Sequence, residues 1–197
     1  MIKAMTFDAD GVVITDNLHF SQQLERNFGI SPARTEAFFT GVFQQCLTGG
    51  ADLKQELAKY LKAWGWHGTV DELVAFWFQC EDHLNEELTK EIQRLRTKGI
   101  KCYLATNQEK YRTDYIANQM GCGVLFDGIF SSAQIGAKKP SLEFLKKVSE
   151  SIKGIPLKEI MFWDDSRENI EAANSFGFNA HLFTTNDDFY TQIEELL

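Results

Sequence analysis

The sequence contains little of what marks several specialised classes of protein. It has 4 cysteines and 3 prolines in 197 residues, and no Cys-x-x-Cys pair or Cys/His group has the spacing of a zinc site. We therefore expect Cys46, Cys80, Cys102 and Cys122 to be free thiols in a reducing compartment. A composition of 44% hydrophobic and 24% charged residues is typical of a folded globular protein.

Long apolar runs and basic runs are also missing. No apolar run approaches the length of a membrane span, and the N-terminal residues lack the organisation of a signal peptide. We therefore expect a cytoplasmic protein that binds no membrane. Because the formal net charge is −8 and no basic run is present, we expect no nucleic-acid partner. The same charge repels anions, so an anionic ligand would need local positive charge from a metal, a lysine or backbone N–H groups.

The hydrophobic pattern predicts an α/β fold. Short apolar segments that end in polar residues are typical of buried parallel strands, and helical patterns separate the later ones. Strands that alternate with helices predict a doubly wound parallel sheet of the Rossmann-like type. The predicted strands are Ile2–Phe7, Lys101–Ala105, Gly128–Ser131, Ile160–Trp163 and Asn179–Phe183, and the predicted helices among them are Glu87–Lys98, Lys110–Met120, Ser141–Ile152 and Arg167–Phe176.

One interval is too long for a simple crossover. A strand–helix–strand unit needs roughly 30 residues, and the interval from Asp10 to Thr106 is far longer. The surplus is aromatic and helical in pattern, so we expect an inserted all-helical domain at residues 15–85 and a core at residues 1–14 and 86–197. The predicted helices of the insert are Phe20–Phe28, Pro32–Phe43, Asp52–Trp64 and Asp71–Leu84.

Two carboxylates follow the first predicted strand. In Asp8-Ala9-Asp10-Gly11 both can turn toward one point, and the glycine permits a tight turn with free N–H groups nearby. A bare D-x-D pattern is weak evidence by itself. A calcium loop is excluded, because residues 12–14 are apolar where further oxygen ligands would be needed.

Three further groups of polar residues follow later strands. Thr106 and Asn107 end the second strand, where a hydroxyl can bind a phosphate oxygen or simply cap a helix. Lys139, before Pro140, can offset negative charge or lie in a solvated loop. The adjacent Asp164 and Asp165 follow an apolar run, which is electrostatically costly unless a cation lies among them.

The joint placement of these groups is more specific than any one of them. Three lie at the carboxyl ends of predicted parallel strands and one in a loop after another strand, at the edge where open α/β sheets bind ligands. The set offers oxygen ligands and no histidine or cysteine, so Mg²⁺ fits better than zinc.

The order of the four motifs resembles that of the haloacid dehalogenase-like superfamily, from residue 8 to about residue 177. The insert resembles the small helical cap of that superfamily, and the chain looks most like its small sugar-phosphate phosphatases and phosphomutases. The resemblance implies that Asp8 is the nucleophile and Asp10 the general acid and base. It implies that Thr106 binds phosphate and that Lys139 orients the nucleophile and the phosphate.

The same resemblance implies a metal site. Asp165 is expected to bind the metal directly. Asp164 is expected to contact the metal through a water molecule or to contact the residues that bind it. We also assign Asp8 and Asp10 to the metal site, and Gly11 and Asn107 to substrate binding.

The chemistry explains why these residue types are needed. Attack on a phosphate monoester brings two anions together, and Mg²⁺ with Lys139 reduces their repulsion. Asp8 can then form an aspartyl-phosphate, while Asp10 protonates the leaving oxygen and afterwards activates water. Relatives that dehalogenate carbon substrates lack the second aspartate, so its presence favours phosphoryl transfer. We predict a Mg²⁺-dependent phosphatase that acts on a small phosphomonoester.

Two other activities share parts of this pattern. A phosphomutase has the same four motifs but returns the phosphoryl group to a sugar. Release of free inorganic phosphate would therefore distinguish a phosphatase from a phosphomutase. A phospho-aspartate signalling domain also uses a Thr or Ser and a Lys-Pro pair, but its acidic pair comes first, whereas here the acidic pair is last. A non-catalytic binding protein is not favoured, because no motif residue is missing.

The insert is expected to set selectivity. Its two connections must emerge at the sheet edge that holds Asp8 and Asp10, so it can close over a small phosphorylated metabolite. Its polar residues Gln44, Gln45, Thr48 and His67 are candidates for substrate discrimination. We expect the protein to be a monomer or a weak homodimer.

Overall fold

Five parallel strands form one sheet. A computed structural model describes residues 1–15 and 19–196. The strands are β1 (Ala4–Phe7), β2 (Lys101–Thr106), β3 (Gly128–Ser131), β4 (Ile160–Asp164) and β5 (Asn179–Leu182). Their order in the sheet is β3-β2-β1-β4-β5, and every neighbouring pair is parallel. The predicted doubly wound sheet is confirmed, with β1 at its centre.

Thirteen α-helices and one short 3₁₀ helix, Leu157–Glu159, are present in the described part of the chain. The α-helices are α1 (Phe20–Phe28), α2 (Pro32–Thr40), α3 (Phe43–Cys46), α4 (Leu53–Ala58), α5 (Leu61–Trp64), α6 (Val70–Cys80), α7 (Glu86–Thr97), α8 (Lys110–Asn118), α9 (Cys122–Leu125), α10 (Ser132–Ile135), α11 (Leu142–Ser151), α12 (Arg167–Phe176) and α13 (Asn186–Leu196). In residues 1–15 and 19–196, no helix is both long and apolar enough to cross a membrane.

Helices cover both faces of the sheet. Successive side chains of a strand point to opposite faces, so Met5 and Phe7 of β1 pack with α7 and α13 on one face. Ala4 faces the other way, into a second cluster with Phe144 of α11 and Ala173 of α12. All four residues of β1 are buried, which explains why its sequence is mostly apolar on both faces rather than alternating; the exception, Thr6, donates its hydroxyl to Met161 O.

The helices between β1 and α7 have their own hydrophobic cluster. It is rich in aromatic side chains, and Phe20 stacks on Trp77 with ring centroids 5.0 Å apart. Trp64 and Phe78 are also buried in it. The two connections of this segment run side by side: Thr15 N donates to His83 O at 2.8 Å.

The insert contains six helices where the sequence predicted four. Pro32–Phe43 is broken at Gly41, whose lack of a side chain disfavours a helix interior. Asp52–Trp64 is divided into α4 and α5 by Lys59 and Tyr60. The last helix begins with a capping box, in which Thr69 Oγ1 accepts from Glu72 N at 3.2 Å, but it ends at Cys80 rather than at the predicted Leu84.

Three helices of the core were not predicted. Helices α9 and α10 have four residues each, too few to show a helical period. Helix α13 follows the last strand and covers the sheet through Phe189 and Ile193. The four cysteines are buried and free, as expected from their spacing.

Candidate active site

Asp8 lies at the carboxyl edge of the sheet, directly after β1. Its backbone N donates to Trp163 O of β4 at 2.9 Å, which extends the strand pairing by one residue. Its carboxylate Oδ1 accepts from Ala9 N at 2.7 Å and lies 2.7 Å from Lys139 Nζ. One oxygen of Asp8 is therefore fixed by two donors, and the residue borders the cavity described below.

Lys139 links two carboxylates in the interior. Its Nζ also lies 2.6 Å from Asp164 Oδ2, and its side chain is 1% exposed. Burial opposes the ammonium charge, but Asp8 and Asp164 outweigh it and hold the pKa of Lys139 above its usual range. Burial raises the pKa of Asp8 to about 7, and Asp164 adds to that rise while Lys139 opposes it.

Asp164 and Asp165 end β4 but have different surroundings. Asp164 is fully buried, and its Oδ1 accepts from Ser166 N and from Asn169 Nδ2, both at 2.9 Å. Asp165 is exposed at the edge. Partial burial and the neighbouring Asp164 charge raise the pKa of Asp165. Hydrogen-bond donors and Lys139 thus stabilise the charge of Asp164 directly, whereas Lys139 acts on Asp165 only from a distance.

Three of these carboxylates could hold a metal ion. Asp8, Asp164 and Asp165 each offer one oxygen within 4.8 Å of the others. The group contains only oxygen ligands, and one buried lysine faces three acids, so a hard divalent cation fits its chemistry. Because hydrogen-bond donors already occupy both oxygens of Asp164, Asp8 and Asp165 are the more available ligands. Asp10 is not part of the group, and its assignment as a ligand stays a prediction.

Asp10 is held by a residue that the sequence analysis did not single out. Gln108 Nε2 donates to Asp10 Oδ2 at 2.5 Å. Gln108 is buried directly after the Thr106-Asn107 motif. Its backbone carbonyl accepts from the hydroxyls of Ser131 and Ser132 at 3.1 and 3.2 Å. These contacts fix the backbone of Gln108, from which its side-chain amide reaches Asp10.

Gly11 allows the loop after Asp10 to pass close to Asp165. Its φ is 78°, in the left-handed region that favours glycine. A Cβ atom at this position would clash with Asp165 Oδ2. The glycine is therefore needed both for the turn and for the space beside a candidate metal ligand.

Thr106 and Asn107 occupy the end of β2, next to β1. Thr106 is the last residue of the strand and is 1% exposed. Asn107 pairs with the Lys139 backbone: its Nδ2 donates to Lys139 O at 3.0 Å, and its Oδ1 accepts from Lys139 N at 2.8 Å. The side chain of Asn107 thus positions the lysine loop, which the prediction of a substrate contact did not anticipate.

A cavity of about 390 Å³ opens above these residues. The core and the helical segment both contribute to its wall. The core supplies Asp8, Asp10, Gly11 and Asp165, and the helical segment supplies His19 and Glu81. Glu81 Oε1 accepts from Phe20 N at 3.1 Å and Oε2 from Trp77 Nε1 at 2.9 Å. The structure therefore brings the predicted edge residues together and adds Glu81, for which the sequence offered no signal.

The four polar residues proposed for discrimination lie elsewhere around the insert. Gln44 Oε1 accepts from Lys138 Nζ at 2.5 Å, next to Lys139. Thr48 Oγ1 donates to Gln45 O at 3.2 Å. His67 borders a separate cavity of about 410 Å³ with Phe28 and Trp66. None of the four is among the residues that line the cavity above Asp8.

The fold and the order of the edge residues agree with the comparison to known families. The family model for haloacid dehalogenase-like hydrolases matches residues 2–177. The chain belongs to the haloacid dehalogenase-like hydrolase family.

Individual relatives extend the comparison. The chain is 29% identical over 180 residues to the sesquiterpene phosphatase astK of Aspergillus oryzae, covering 89% of this chain and 86% of that protein. It is 29% identical over 98 residues to the drimenol cyclase drtB of Aspergillus calidoustus, which is 50% of this chain but 18% of that protein. A HAD family enzyme from Bacteroides thetaiotaomicron, solved with magnesium and inorganic phosphate, has the same fold, with 20% identity, a TM-score of 0.81, and coverage of 98% and 99% of the two chains.

Proposed function

We propose that this hydrolase is a Mg²⁺-dependent phosphatase that cleaves a small phosphomonoester through an aspartyl-phosphate on Asp8. The observation that carries the proposal is the buried Lys139, which lies 2.7 Å from Asp8 and 2.6 Å from Asp164, beneath the acidic cavity that Asp8 lines. An ammonium group so placed lowers the cost of bringing a phosphate against Asp8. The relative named as a phosphatase and the neighbour solved with phosphate support the same chemistry.

The residues divide the reaction between them. Asp8 attacks phosphorus, and the bond to the leaving oxygen breaks as Asp10 gives that oxygen a proton. Asp10 then takes a proton from water as the water oxygen attacks phosphorus, and the bond from phosphorus to Asp8 breaks. Thr106 donates its hydroxyl to a phosphate oxygen, and Lys139 remains charged throughout. Alcohol and inorganic phosphate are the two products.

Asp8 and Asp165 would hold the metal, with Asp164 supporting the site through Lys139. A bound divalent cation supplies positive charge against the phosphate oxygens. Three neighbouring carboxylates and one ammonium leave negative charge in the site, which is the electrostatic reason for a cation there.

Residues 15–85 act as a cap in this proposal, and residues 1–14 and 86–197 as the catalytic core. The segment has its own aromatic cluster, contributes His19 and Glu81 to the cavity, and contacts the core at further points. Tyr111 Oη of α8 donates to Asp52 Oδ2 at 2.9 Å, and a Cβ atom on Gly49 would lie 2.7 Å from Ala133 O. A cover at this position excludes bulk water and limits the size of the substrate.

Phosphate release tests the proposal. The purified protein is stripped of metal and then supplied with Mg²⁺, with an aryl phosphate and a panel of small phosphorylated metabolites as substrates. We expect inorganic phosphate to appear only after Mg²⁺ is added. Activity that persists after exhaustive chelation would overturn the metal requirement, and transfer of phosphate to a second sugar without net release would indicate a phosphomutase.

A further inference from the structure

The wall of the catalytic cavity is strongly acidic on the side where the organic part of a substrate must lie. Asp8 and Lys139 lie at the base, where they meet the phosphate, and Asp10 must reach the leaving oxygen. The group attached to that oxygen therefore extends toward Glu81 and His19, which the helical segment contributes to the same cavity. Glu81 is the acidic residue that the helical segment places in this wall.

The position of Glu81 is fixed from several directions. Each of its carboxylate oxygens accepts one N–H donor, from Phe20 and from Trp77. Its backbone carbonyl accepts from Arg112 of α8, which also donates to Phe78 O at 3.1 Å. The core thus holds the end of α6 directly, and the Glu81 carboxylate cannot turn away to avoid a ligand without losing two hydrogen bonds.

The nearby basic residues are already engaged. Arg112 binds backbone carbonyls, and Lys138 Nζ donates to Gln44. Lys110 Nζ lies 2.5 Å from Asp52. None of these three lines the cavity, where His19 is the one residue of the described lining that can carry a positive charge, and it is exposed. A second anionic group on a substrate would therefore meet Asp10 and Glu81, with the exposed His19 as its one possible cationic partner among the described lining residues.

We propose that the phosphatase selects phosphomonoesters whose organic part is neutral or cationic, and that Glu81 is the residue that rejects a second negative charge. The inference rests on the proposed phosphatase function. It excludes substrates such as phosphorylated carboxylic acids and bisphosphates, and it favours phosphate esters of uncharged alcohols. Like charges within a partly desolvated cavity repel strongly enough to change selectivity about tenfold or more.

Three aryl phosphates of similar size test the charge selection: 4-(hydroxymethyl)phenyl, 4-carboxyphenyl and 4-(aminomethyl)phenyl phosphate. For the wild type and for Glu81→Gln, kcat/KM of each charged compound is divided by kcat/KM of the neutral compound. Comparing these ratios between the two proteins cancels differences in the intrinsic reactivity of the compounds. The variant should raise the relative value for the carboxylate about tenfold and lower it for the amine. Relative values that stay the same in wild type and variant would overturn the proposal.

Two further variants make the result specific. Glu36→Gln removes the same charge from an exposed site on α2 and should leave the relative values unchanged, whereas Glu81→Asp keeps the charge and should keep the selection. Should Glu81→Gln fail to fold, the wild type decides once each kcat/KM is divided by the rate of uncatalysed hydrolysis of the same compound: rejection of the carboxylate supports the proposal, and equal ratios for all three compounds overturn it. Absence of Mg²⁺-dependent release from any aryl phosphate would instead contradict the proposed function itself.

Discussion

Gln108 Nε2 donates a hydrogen bond to Asp10 Oδ2 at 2.5 Å, and this contact fixes the carboxyl group that we assign as general acid. The backbone carbonyl of Gln108 accepts hydrogen bonds from the hydroxyls of Ser131 in β3 and Ser132 in α10. Asp10 is thus oriented through a chain of contacts that begins in the neighbouring strand. The other carboxylate oxygen of Asp10, Oδ1, is the atom that we expect to exchange a proton with the substrate.

Replacing Gln108 should impair proton donation more than nucleophilic attack. Gln108→Leu removes the donor that orients Asp10, so kcat/KM for an alkyl phosphate should fall about tenfold further than for an activated aryl phosphate, whose leaving group needs less protonation. The measurement is the dependence of rate on leaving-group pKa, with the exposed Gln134→Leu as control. An equal loss for all leaving groups would indicate that Gln108 acts only on stability.

Lys139 and its neighbour Lys138 provide a matched pair. Lys139→Met leaves Asp8 and Asp164 without their shared cation, so turnover should fall about a hundredfold or more. Lys138→Met removes a charge one residue away that contacts Gln44, and turnover of a minimal aryl phosphate should change little. Steady-state kinetics with an aryl phosphate makes the comparison, and similar losses in both variants would contradict the role given to Lys139.

Metal affinity should depend on pH because protons compete for Asp8. Burial raises the pKa of Asp8 to about 7, so the metal-free carboxyl gains a proton as the pH falls through this value, and binding must release it. Mg²⁺ affinity should therefore be about tenfold weaker near pH 6 than near pH 8. Calorimetric titration at both pH values measures this change, and equal affinities would mean that Asp8 is ionised throughout.

Alanine variants of Gly11 and Gly29 distinguish the cost of backbone strain from disruption of the metal site. Both have positive φ, 78° and 68°, but a Cβ atom at Gly11 would clash with Asp165, whereas none of the described atoms lies within 4 Å of one at Gly29. Each alanine variant should lose about 1 kcal/mol of unfolding free energy from the left-handed backbone. Only Gly11→Ala should also weaken Mg²⁺ binding. Comparable affinities in both variants would show that Gly11 does not protect the Asp165 position.

The core could be predicted from the sequence because its signals are local. Strands β1 to β4 are largely apolar, with a polar residue at or directly after their ends. Because the carboxyl ends of parallel strands must share one edge, the meeting of Asp8 with Asp164 followed from chain order. The breaks in the insert were harder to predict, since the pattern of apolar residues continues across Lys59 and Tyr60, where α4 and α5 separate.

The missed residues depend on contacts that chain order does not determine. Gln108 directly follows Asn107, and its polar side chain at that position is the one signal in the sequence for its role. Glu81 had none: it reaches the cavity because Arg112 of α8 holds the end of α6. That contact joins residues of two different segments, and no periodicity or spacing in the sequence predicts it.

The identity of the phosphorylated residue tests the central claim most directly. The wild type and Asp8→Asn are mixed with a phosphate-labelled substrate and Mg²⁺, quenched within one turnover, and digested for peptide mapping. The account predicts an acid-stable, hydroxylamine-sensitive label on Asp8 in the wild type and no label and no turnover in Asp8→Asn. Label on another residue, or wild-type turnover by Asp8→Asn, would contradict it.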